Sequence, residues 1–118
     1  MLTDLLGAGD LMGVLARDID VRLLNVSASG CLVESRRRIE AGTAGALRLV
    51  VDGEEYSDDV IVARCSEVQG AGATYHVGAE FLWTTPPGVR SLRRMASRLQ
   101  QALERGAVTL ALEPRHAM

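Results

Sequence analysis

A chain of 118 residues with 47% hydrophobic and 24% charged side chains has the length of one domain and a globular composition. Such a chain buries roughly 65% of its unfolded surface, which is enough to fold without staples. A formal net charge of -2 excludes a protein devoted to duplex nucleic acid, so neither DNA nor RNA is an expected partner and any basic function must be local.

Residues 1–16 place Leu2, Leu5, Leu6, Met12 and Leu15 at helical spacing, but Gly7, Gly9 and Gly13 each cost about 1 kcal/mol against Ala, so helix and loop stay open as alternatives. Asp4 stands where a secretory signal carries positive charge, and the apolar run from Leu5 to Ala16 is broken by Asp10 and the glycines. No signal peptide or inserted membrane span is expected, and a cytoplasmic location is. From Asp18 the pattern changes to period two: Ile19, Val21 and Leu23 alternate with Asp20, Arg22 and Leu24, as in a half-buried strand.

A turn is expected over Asn25 to Gly30, followed by strands over Cys31 to Glu34, Ala46 to Val51, Asp59 to Glu67 and Thr74 to Trp83. Asp52-Gly53 signals a hairpin, and Gln69 to Gly72 a second loop. Strands this short and this frequent read as a sandwich or barrel, and a barrel leaves no edge open to a neighbouring chain. Pro86-Pro87 stops the last of them and opens a helix over 87–105, striped by Val89, Leu92, Ala96, Leu99 and Leu103, with Gly106 as a left-handed cap. That stripe serves either to close the barrel or to pair two copies of the chain. In the tail, 107–118, Val108, Leu110 and Leu112 alternate, which allows an added strand or fraying. The domain expected on this reading is 17–106.

All 13 positive residues are Arg, from codon bias in a GC-rich genome or from a premium on flat, bidentate donors. Arg36-Arg37-Arg38 reads as a solvated loop, and the Arg90, Arg94, Arg98 face as solvent or partner surface. Cys31 and Cys65 form neither a CxxC pair nor a metal cluster with His76 and His116; buried free thiols in a reducing compartment are expected, with no metal and no cofactor. HExxH, GxSxG and P-loop signatures are missing, so no catalytic residue is assigned and no enzyme is expected. Asp58-Asp59 and Glu54-Glu55 read as the solvated edge of a hairpin, and Trp83 as core packing.

Most informative is Asn25-Val26-Ser27-Ala28-Ser29-Gly30, in which Asn and Ser side chains can bond the backbone two residues ahead and Gly30 supplies a positive φ. Gly42 precedes a strand, and Val62-Ala63-Arg64-Cys65 is followed by a loop and Tyr75-His76-Val77-Gly78-Ala79-Glu80-Phe81. Together with the helix after Pro86-Pro87, these runs resemble the PilZ domain family, whose Asn-x-Ser-x-x-Gly turn and Gly-x-x-Phe hairpin ending they match over roughly Asp18 to Leu103.

The resemblance implies a mainly all-β fold, a six-stranded antiparallel barrel closed by a C-terminal helix, in a bacterial signalling module. It also implies a ligand, cyclic di-GMP, held at Asn25, Ser27, Ser29 and Gly30. The family's Arg-x-x-x-Arg motif does not stand ahead of the turn; the nearest arginines are Arg17 and Arg22, which point to opposite faces of one strand. Two functions follow as alternatives: a receptor in which Arg17 or Arg22 clamps the messenger, and an adaptor of type IV pilus or motility control that has lost the nucleotide and works through a protein effector.

Overall fold

In the computed structural model, which describes residues 18–70, 72–82 and 88–115, the alternating run after Asp18 is strand β1, Ile19–Val26. The expectations for residues 1–16, Arg17, Trp83 and His116 fall outside the described residues. Val21 and Leu23 point into the core, while Arg22 points out. The cross-strand partner then jumps from Leu23↔Val33 to Asn25↔Leu32, so Leu24 is an inserted bulge residue. One extra residue reverses the parity: Val26 turns inward and Asn25 outward. The strand therefore runs two residues further than expected, and the turn is only Ser27–Ser29.

The remaining strands are β2 (Gly30–Ser35), β3 (Ala44–Val51), β4 (Glu54–Glu67), β5 (Tyr75–Phe81) and β6 (Thr109–Arg115). They close into the expected six-stranded antiparallel barrel in the order β1-β2-β5-β4-β3-β6. Inward residues Val21, Val33, Leu47, Val60 and Val77 fill its interior. Each contributes about 1.5–3 kcal/mol by leaving water. Asp52-Gly53 makes the two-residue β3–β4 hairpin between Val51 and Glu54, and its φ values of 52° and 80° are those of a type I′ turn.

The tail does not fray. β6 pairs with β1 through Ile19↔Leu112 and with β3 through Leu47↔Leu112, so the domain reaches Arg115 instead of ending at 106. Its alternating Leu110 and Leu112 are 3% exposed, which is the burial that drives the strand into place.

The helix α1 spans Ala96–Arg105, preceded by a 3-10 turn at Arg93–Met95, and so starts later than the expected residue 87. The segment before it is held by β4 instead: the Ser57 N–H donates to the Arg90 carbonyl at 2.9 Å, and the Asp58 carboxylate accepts from Ser91 Oγ at 2.5 Å and from the Arg93 N–H at 3.0 Å. A side chain distant in sequence thus caps this turn. Asp58 is consequently not a solvated edge residue. It forms an ion pair with Arg93 Nε at 3.1 Å, the two side chains being 8% and 4% exposed. Asp59 remains half-exposed beside Arg115.

Leu92, Met95 and Leu99 are buried in the core cluster, with Ala96 and Leu103 packed against it. Most of the expected stripe is therefore used within the chain; Val89, ahead of the helix, is exposed. Gly106 ends the helix in extended backbone, φ 163°, not in the left-handed cap expected of it. No helix among the described residues is long and apolar enough to cross a membrane.

Candidate functional site

The Ser27–Ser29 turn is built from its own hydroxyls. The Ser29 N–H donates to Ser27 Oγ at 3.3 Å, the two hydroxyls lie 3.1 Å apart, and the Ser27 N–H donates to the Gly30 carbonyl at 2.9 Å. The turn is fastened on two sides: the Phe81 N–H donates to the Ser29 carbonyl at 3.0 Å, and the Val26 N–H donates to Gln100 Oε1 of α1 at 3.3 Å. Asn25, exposed by the Leu24 bulge, makes no side-chain hydrogen bond to a described residue.

Gly30 corrects one expectation. Among the described residues, the glycines in the left-handed region are Gly42, Gly53, Gly70 and Gly72; Gly30 lies in ordinary strand backbone opposite Glu80. Glycine is required there because a Cβ would stand 2.3 Å from the Ala79 carbonyl oxygen. Close approach of two backbones, not turn conformation, selects the residue.

Against this turn lies an open cleft of about 510 Å³, lined by Asn25, Ser27, Ser29 and Gly30 together with Leu32, Arg64, Gly78 and Glu80. That is the size of a small-molecule site. Four of the expected site residues are brought together here. Arg22 is not: it points outward one row away and pairs with Glu34 at 3.2 Å, which His76 Nε2 approaches at 3.8 Å from the other side. Arg17 lies outside the described residues.

Arg64 is the residue that sequence reasoning missed. A second bulge, at Ala63, shifts the β4–β5 register from Val62↔Ala79 to Arg64↔Gly78 and turns Arg64 outward. Its side chain crosses Gly78, where a Cβ would meet Arg64 Cγ and Nε at 3.3 Å. It has no ion-pair partner among the described residues. The one legible signal was a glycine within a strand pattern, which marks a bulge or a close approach.

The other arginine clusters do not reach the cleft. Arg36, Arg37 and Arg38 are exposed, with Arg38 bonded to Glu40 at 3.2 Å, which raises its pKa further above the ordinary arginine value. Arg90 pairs with Glu54 at 2.5 Å, and Arg94 and Arg98 are exposed on the helix side. Both cysteines are free and half-buried, not fully buried as expected. Cys31 borders the cleft, and burial pushes its thiol pKa up to about 12. No group of three or more His, Cys, Asp or Glu among the described residues is arranged to hold a metal ion. Compared with family models, with curated proteins and with solved structures, the chain matches none.

Proposed function

We propose that this chain is a PilZ-type regulatory binding module of bacterial cyclic di-GMP signalling, not an enzyme, and that the messenger docks in the cleft beside the Asn25–Gly30 turn. The observation that carries this reading is convergence: the turn on which the family resemblance rests walls the same ligand-sized cleft as an arginine without an ion-pair partner. A ligand with two phosphates and two guanines asks for a planar cationic donor, an amide and hydroxyls around an uncluttered floor. Arg64, Asn25 and Ser27 supply the first three, Gly30 adds no side chain to the floor, and Gly78 gives the Arg64 side chain room to lie across the strand.

Isothermal titration of the full chain with cyclic di-GMP at moderate salt tests it. Micromolar affinity, about -8 kcal/mol, weakened at least tenfold by Asn25→Ala, is the expected result. Absence of heat at millimolar ligand overturns the receptor reading and leaves the adaptor, a cytoplasmic module acting through a protein effector in pilus or motility control. One observation favours that second reading: Arg22, the described arginine nearest the turn in sequence, is engaged with Glu34 outside the cleft.

A further inference from the structure

Two charged side chains line the cleft, Arg64 on β4 and Glu80 on β5, and neither has an ion-pair partner among the described residues. The β4–β5 register sets Arg64 opposite Gly78 and Ile61 opposite Glu80. Gly78 and Glu80, two apart on β5, face the same side of the sheet. The Arg64 side chain therefore lies across Gly78 from the neighbouring strand, and the Glu80 carboxylate stands next to it along the same face of β5. A carboxylate repels the phosphates of an anionic ligand, so it weakens binding unless the ligand brings donors to it. Guanine does so: its Watson–Crick edge carries the N1–H and the N2 amino group, whereas adenine presents an acceptor at N1.

Resting on the receptor reading, we propose that Glu80 is the base-selecting residue of this cleft, accepting hydrogen bonds from the Watson–Crick edge of a guanine. In the same arrangement Arg64 grips a phosphate. The division is the general one, in which phosphate contacts position a nucleotide and base-edge contacts specify it. Arg64 then contributes affinity without regard to base, and Glu80 contributes preference. Phosphate repulsion is common to both ligands, but guanine offsets it with two donors to Glu80, whereas adenine offers only its N6 amino group and sets its N1 lone pair against the carboxylate.

The test is a titration of the full chain, wild type and two variants, with cyclic di-GMP and with cyclic di-AMP. Both side chains are exposed on strands whose core faces are unchanged by substitution, so Glu80→Gln and Arg64→Ala are expected to melt at the wild-type temperature. The wild type is expected to prefer cyclic di-GMP at least tenfold, Glu80→Gln to reduce that ratio at least tenfold, and Arg64→Ala to weaken both ligands by a similar factor with the ratio kept. A wild type that takes up neither dinucleotide overturns the receptor reading itself. A wild type that binds but whose preference survives Glu80→Gln overturns the role of Glu80 while leaving that reading intact, and undiminished binding by Arg64→Ala does the same for Arg64.

Discussion

A methyl group at Gly30 has nowhere to go, because the atom it would meet at 2.3 Å is a backbone oxygen of the paired strand, not the end of a flexible side chain. Gly30→Ala is expected to cost about 1–3 kcal/mol, the range for overpacked sites, read as a lowered urea midpoint with an unchanged slope. Its neighbour Cys31 carries a different signature. Burial lifts the thiol pKa from 9.0 to about 12, so between these values the unfolded chain releases a proton that the folded chain keeps. Bound protons then favour the folded state, and stability falls as pH rises from about 9 to about 12. Urea midpoints at pH 8 and pH 10 are expected to differ more for the wild type than for Cys31→Ala; equal differences would remove the thiol from the account.

The segment before α1 depends on one carboxylate. Asp58 Oδ2 accepts from Ser91 Oγ, the Arg93 N–H and Arg93 Nε, almost out of solvent. Removing a nearly buried carboxylate that accepts three hydrogen bonds breaks up this cluster, so Asp58→Ala is expected to destabilise by about 3–5 kcal/mol in chemical denaturation. Asp59→Ala, beside a half-exposed Arg115, is expected to cost under about 1 kcal/mol. Adjacent acids in the sequence thus have unlike roles, which no local pattern separates. Period-two alternation and Asp52-Gly53 were enough to place the strands and the β3–β4 hairpin, because those signals are local, although β4 begins at Glu54 and not at the expected Asp59. The start of α1 and the bulges at Leu24 and Ala63 were not legible, because each is set by the strand or side chain opposite. For the same reason half of the cleft could be read and half could not: the Asn25–Gly30 turn is contiguous, while Arg64 reaches it only through a shifted register.

At the scale of the molecule, closure is the property that matters most. β6 joins β1 to β3, so deleting 107–118 leaves two unpaired edges and uncovers the core beneath Leu110 and Leu112. The truncated chain is expected to lose cooperative thermal unfolding and to elute as aggregates in size-exclusion chromatography; a monomer with the wild-type melt would contradict the assignment of β6 to the barrel. The helix is tied to the cleft wall through the Gln100 contact with Val26.

That closing strand also orders events in time. A ribosome delivers β1 to β5 before Thr109–Arg115, and without the sixth strand the margins of β1 and β3 lack their partner. The barrel can close only once β6 has emerged from the exit tunnel. Substitutions that weaken β6 should therefore act first on yield during synthesis, and only secondarily on the lifetime of the finished barrel.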